Sequence, residues 1–156
     1  MRLTITVSFL LATVIAVASS GAEDEEHRID RSALPPAVER AVAEASAGAE
    51  VRGLSTETED GRTSYEAELL VNGRSKDVSI DSSGAIVEIE EEVRLDSLPA
   101  AVREALVTHA GRAKIVRVES ITKNGSVVAY EAQIKKALKR SEIEVDLQGR
   151  LIEEGG

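Results

Sequence analysis

The chain has 156 residues, no cysteine and a formal net charge of −9. Without a thiol it can form neither a disulfide framework nor a cysteine metal site or nucleophile, and its acidity works against binding nucleic acid or anionic lipid. Aromatic residues make up 2% of the chain, so small aliphatic side chains must build the core, which predicts a thin packing of helix on sheet.

Arg2 opens a stretch in which residues 3–18 are uncharged and mostly apolar. Ala16-Val17-Ala18 and Ser20-Gly21-Ala22 both fit a small-x-small cleavage pattern, and Glu23-Asp24-Glu25-Glu26 then turns abruptly acidic. This is the pattern of a secretory signal peptide over residues 1–22, cut after Ala18 or Ala22. The expected location is periplasmic or secreted, with no membrane span once the signal is removed. About 130 residues remain, enough for one compact domain or two small ones. Residues 23–32 are charge-rich and read as a disordered acidic leader. His27 lies there with no partner at metal-ligand spacing.

From residue 33 onward the chain is written twice. Leu34-Pro35-Pro36-Ala37-Val38 returns as Leu98-Pro99-Ala100-Ala101-Val102, and Asp60-Gly61 returns as Asn124-Gly125, both at an offset of 64. Tyr65-Glu66-Ala67 returns as Tyr130-Glu131-Ala132, and Asp81-Ser82-Ser83-Gly84 as Asp146-Leu147-Gln148-Gly149, at an offset of 65. The copies occupy residues 33–93 and 94–156.

Each copy opens with a helix. Leu34, Val38, Ala41, Val42 and Ala45 form one apolar stripe at helical period, and Leu98, Val102, Ala105, Leu106 and His109 repeat it. Proline sits in both first turns, where a missing N–H costs nothing. Ser32 and Ser97 are cap candidates, and Gly48 and Gly111 are stops. His109, at a helix end, reads as a partner of the dipole and not as a catalytic base.

The period then changes to that of strands. Residues 51–58 and 114–122 are rich in β-branched side chains and run into Asp60-Gly61 and Asn124-Gly125, strong hairpin signals. In the returning strands Tyr65, Ala67 and Leu69 alternate with Glu66 and Glu68, and Tyr130, Ala132 and Ile134 alternate with Glu131, Gln133 and Lys135. One face therefore packs on the helix and the other is polar. Asn72-Gly73 predicts a further hairpin in the first copy. The second has no such dipeptide there and carries Lys135, Lys136, Lys139 and Arg140 in what reads as a longer, basic turn. Asp81–Gly84 and Asp146–Gly149 read as Asx turns, leading to last strands at 85–90 and 150–153. The fold class is thus α+β, two tandem repeats of one helix on a four-stranded antiparallel sheet. Glu90-Glu91-Glu92 reads as a solvated strand end, and whether the two sheets join is left open.

Charge is unevenly placed. Residues 34–93 hold 14 acidic and 5 basic residues, a net of −9, whereas residues 94–156 hold 9 acidic and 11 basic, a net of +2.

The order Leu-Pro-x-Ala-Val, helix, Tyr-Glu-Ala-x-(Leu/Ile), Asp-x-x-Gly and short strand resembles the PepSY domain. More closely it resembles the PepSY-like proteins described as β-lactamase-inhibitor-like, in which two units stand in tandem. The motif rests on Leu34, Pro35, Ala37, Val38, Tyr65, Glu66, Asp81 and Gly84, and again on Leu98, Pro99, Ala101, Val102, Tyr130, Glu131, Asp146 and Gly149. The resemblance implies an extracytoplasmic, non-enzymatic protein. PepSY units also occur in propeptides of secreted metallopeptidases, where inhibition is suggested. It implies no binding residue, because the matching positions shape the unit.

No Ser-His-Asp set, phosphate loop, Cys/His cluster or zinc-helix motif occurs, so no catalytic, cofactor or metal residue is expected. The paired carboxylates Glu57/Glu59 and Glu66/Glu68 read as exposed strand faces. The expected function is a non-catalytic binding or regulatory module of the cell envelope. It would present Glu66, Glu68, Glu131 and Gln133 to a protein or peptide. Lys135, Lys136, Lys139 and Arg140 read first as a solvated hairpin tip, and as candidate binding residues they would dock an acidic partner or the acidic face of the first copy. The alternative is an inhibitor of a peptidase or β-lactamase.

Overall fold

Proline decides where both helices begin. In the computed structural model, which describes residues 27–59 and 62–152, Pro35 and Pro99 hold extended backbone (ψ 147° and 142°) directly before α1 (Pro36–Ala45) and α2 (Ala100–Ala110). A single 3-10 turn precedes each, Arg31–Ala33 and Leu95–Ser97. The prolines take the cap position, so the serines do not: neither helix has a side-chain cap, and Ser97 Oγ donates instead to the Arg94 carbonyl at 2.7 Å.

The α1 stripe is buried as read, with Val38 and Val42 almost fully enclosed. In α2 the buried residues recur every fourth position, Val102, Leu106 and Ala110. That drift turns the facing line away from His109, which is exposed.

Eight strands form one antiparallel sheet in sequence order: β1 (His27–Arg28), β2 (Glu50–Glu59), β3 (Arg62–Val71), β4 (Arg74–Asp81), β5 (Ile86–Glu92), β6 (Lys114–Lys123), β7 (Ser126–Lys136) and β8 (Lys139–Asp146). The two halves are joined by β5 and β6, paired from Ile89↔Thr122 to Glu92↔Glu119. This places Ile89 and Val118 on the same side of the sheet. One core cluster lies under α1, with Ala67, Leu69, Val78 and Ile80, and another under α2, with Val118, Ala132, Ile143 and Val145. Both helices therefore cover one face. Burying each of the larger aliphatic side chains, such as Leu69, Ile80 and Leu106, contributes about 1.5–3 kcal/mol. Tyr65 and Tyr130 pack half-buried against the two clusters.

Three expectations change. Residues 27–32 are not disordered: Arg28 and His27 pair with Ser55 and Thr56 to make β1. Residues 1–26, with the expected signal peptide and the rest of the leader, lie outside the described residues, as do Asp60-Gly61 and residues 153–156. Among the described residues the last strand of the second half, expected at 150–153, amounts to an isolated bridge, Val145↔Leu151. Its counterpart β5 extends further because β4 and β6 flank it on both sides. Finally, the basic turn is not lengthened. Lys136 pairs with Lys139 across two residues, Ala137 and Leu138, with Ala137 at a φ of 55°.

Glycine has a steric role at the Asx turns. Asp81 Oδ1 accepts the amides of Ser83 and Ala85 at 2.8 and 3.0 Å, and Asp146 Oδ1 those of Gln148 and Arg150, both at 2.9 Å. These bonds curl the chain so that Gly84 and Gly149 press on the first turns of α1 and α2. A Cβ would stand 2.6 Å from the Ala37 carbonyl oxygen at Gly84, and 2.7 Å from that of Ala101 at Gly149.

Candidate functional site

Strand alternation sends every second side chain to the face that no described helix covers. Because the register is continuous across β5 and β6, both halves contribute to one surface. Glu68, Asp77 and Glu90 stand in one cross-strand row. Glu92, Glu119, Glu131 and Glu144 stand in the next, and Glu66, Ser79 and Glu88 in another. Cross-strand neighbours on one face lie about 4.5–5.5 Å apart at Cβ, where like charges repel. The face holds an open cavity of about 350 Å³, lined among others by Glu66, Glu68, Asp77, Glu90, Glu131, Gln133 and Glu142.

Few cations answer this charge. Arg28 reaches from β1 to Glu68 at 2.7 Å, Lys123 holds the buried Glu88 at 2.6 Å, and Arg117 Nε lies 3.2 Å from Oε1 of Glu119, whose side chain is 1% exposed. Ser75 links two carboxylates: its amide donates to Glu92 at 3.1 Å and its hydroxyl to Glu119 at 3.3 Å. Among the described residues no cation stands at ion-pair distance from Glu90 or Glu131.

The consequence is a group of carboxyls that resist ionisation. Burial, then repulsion from Glu131 and Glu88, pushes Glu90 up to about 9. Burial and the charges of Glu142 and Glu119 push Glu131 up to about 8. Asp77 rises to about 6 through burial and Glu119, with Arg117 opposing. Glu119 is raised as well, since burial outweighs Arg117 and Ser75. Asp77, Glu90 and Glu119 each offer a carboxylate oxygen within 4.8 Å of the others, the donor chemistry a hard divalent cation takes.

Glu66, Glu68, Glu131 and Gln133 all line this cavity. Lys135, Lys136, Lys139 and Arg140 do not reach it; they stand exposed at the β7–β8 hairpin tip around Leu138, itself 98% exposed. Glu90 overturns the reading of 90–92 as a solvated strand end. β5 is a central strand, so Glu88, Glu90 and Glu92 project between those of β4 and β6 and only Glu91 is exposed. Sequence reading also missed Asp77, Glu119, Glu142, Arg28 and Arg117. The signal available was the recurrence of acids at every second position: Glu66/Glu68, Glu88/Glu90/Glu92 and Glu142/Glu144.

A sequence model of the family described as "Putative beta-lactamase-inhibitor-like, PepSY-like" matches residues 63–153. The chain belongs to the PepSY-like family. Comparison with curated protein sequences found no match. Solved structures carry the same fold. A protein of Bacteroides eggerthii, described as a "putative periplasmic" protein, superposes on this PepSY-like chain with a TM-score of 0.61 at 19% identity, covering 77% of this chain and 86% of that one. A DUF2874 family protein of Bacteroides ovatus gives 0.57 at 19% identity, over 77% and 85%. A BLIP-like protein of Bacteroides fragilis gives 0.55 at 19% identity, over 78% and 85%. At these identities the likeness is one of fold.

Proposed function

We propose that the chain is an exported, non-catalytic binding or regulatory module of the cell envelope, whose uncovered acidic sheet face receives a protein or peptide. The observation that carries this reading is the open face itself. A sheet covered on one side by two helices leaves its other side to water or to a partner, and here that side is shaped into a cavity. Export is supported by the N-terminal residues and by the periplasmic description of a structure with the same fold; mass spectrometry of the mature protein should find its N-terminus after Ala18 or Ala22. The chain is organised as two tandem helix-plus-sheet units, supported by the equivalent contacts of Gly84 with Ala37 and of Gly149 with Ala101.

One narrower reading is an inhibitor of a peptidase or β-lactamase, and the family description supports the second of these targets. Against a tight inhibitor, no aromatic anchor of the kind that dominates such interfaces stands on the open face among the described residues, since both tyrosines pack beneath the helices. The test is affinity capture from envelope extract with the mature protein and with Glu68→Gln/Glu90→Gln/Glu131→Gln. A partner held by the first and lost by the second supports the reading. A partner held equally by both overturns it. Inhibition assays on a captured enzyme separate the inhibitor from the module.

A further inference from the structure

We propose that the acidic face is occupied by the β7–β8 hairpin tip of a second copy of this chain, so that the protein docks on itself, basic tip to acidic face. The inference rests on the reading of the open face as the docking surface, and names its occupant.

The tip and the face present the same problem with opposite signs. At the tip, Lys135 stands opposite Arg140 and Lys136 opposite Lys139, two like-charge cross-strand pairs that repel. None of the four has a carboxylate at ion-pair distance among the described residues, and all are exposed. On the face, Glu92, Glu119, Glu131 and Glu144 form a row of acids that suppress one another's ionisation, and cations set among them let the row give up its protons and carry its charge. One contact relieves both. Leu138 at the apex is 98% exposed, by far the most open of the large apolar side chains among the described residues, and would be shielded in the same step. A cavity of about 350 Å³ lies at the small end of ligand sites, the scale of a few side chains at a hairpin apex.

The tip cannot fill the cavity of its own chain. Its strands are part of the sheet and lie in its plane, and folding back would break the pairing of Lys135 to Arg140 and Lys136 to Lys139. An anionic membrane is the rival acceptor for a basic, leucine-tipped hairpin. The remainder of the chain, which is at −9 overall even with the four tip cations counted, would be repelled from it.

Sedimentation analysis of the mature protein tests the inference at low and high salt. Self-association at 20 mM salt should weaken at least tenfold by about 300 mM, as screening requires. A tip variant, Lys136→Glu/Lys139→Glu/Arg140→Glu, keeps its face; a face variant, Glu68→Gln/Glu90→Gln/Glu131→Gln, keeps its tip. Each alone should be monomeric, and mixing them should restore a complex through one intact tip and one intact face. A wild-type monomer at millimolar concentration, a tip variant that associates like wild type, or an inert mixture of folded variants overturns the inference. So does a wild-type monomer that binds phosphatidylglycerol vesicles through the tip. If the mixture is inert while the face variant still loses its envelope partner, the inference fails and the docking-face reading stands.

Discussion

The acidic face makes stability fall as pH rises, in a range where most proteins gain or hold it. Glu90 binds its proton up to about pH 9 and Glu131 up to about pH 8 in the folded chain, whereas an unfolded glutamate releases it near pH 4.3. Between these values the folded state holds more protons than the unfolded state, so unfolding free energy drops with rising pH. The contribution of each group is complete below about pH 4 and is lost as pH climbs to its folded value. At about 1.4 kcal/mol per unit, either group alone would cost roughly 4 kcal/mol between pH 5 and 8. Part of the rise at Glu90 comes from the charge of Glu131, so the losses do not add, and a joint loss of about 4 kcal/mol is the working figure. For a domain of this size that lowers Tm by roughly 10–15 °C. Glutamine at both positions keeps the shape and cannot ionise. Glu90→Gln/Glu131→Gln should therefore flatten the profile and gain about 2–4 kcal/mol at pH 8. Thermal unfolding by circular dichroism from pH 5 to 8 reads both. Glu104→Gln, exposed on α2, controls for net charge. A wild-type Tm constant within about 2 °C, or a double variant with the wild-type slope, refutes the reasoning.

Other outcomes follow from single contacts. Gly84→Ala should cost about 2 kcal/mol or more in urea unfolding, since its φ of 87° and the 2.6 Å approach to the Ala37 oxygen both oppose a Cβ; Gly48→Ala, with open space around it, should cost only about 1 kcal/mol. Ser55→Ala should leave stability unchanged or raise it by up to about 1 kcal/mol, because the Ser55 hydroxyl is buried without a hydrogen-bond partner. Arg28→Ala should cost under about 1 kcal/mol, given that its guanidinium is mostly in water beside Glu68, and hydrogen exchange should show β1 opening first.

The parts of the fold that were legible rest on local chemistry. Asn72-Gly73 and Asn124-Gly125 announce two-residue turns because both residues need positive φ, and they adopt 52° and 81°, and 51° and 74°. The helices were legible because proline and apolar spacing act within a few residues of each other. What escaped depends on partners distant in sequence. The tight Ala137–Leu138 turn carries no turn-forming residue; the pairing of Lys136 with Lys139 imposes it. The joining of β5 to β6 is a contact across α2, and with it came Glu90 and Glu119, whose burial no local pattern reveals.

The fold asks only that alternate strand positions on the open side be compatible with water. Serine or glutamine would satisfy that without repulsion, and threonine would add β propensity as well. The chain instead places acids in register on β5, β6, β7 and β8, and sets like cations against each other at the β7–β8 tip. These choices lower the stability of the isolated molecule, which locates them outside the requirements of folding. The neutralising contacts the chain does make, Arg28 on Glu68, Lys123 on Glu88 and Arg117 on Glu119, stand around Glu90 and Glu131 and on neither of them. The centre, Glu90 and Glu131, is left with no cation among the described residues. A charge pattern relieved at the neighbours of Glu90 and Glu131 but not at these two is what a surface needs if its counter-charge arrives with a partner.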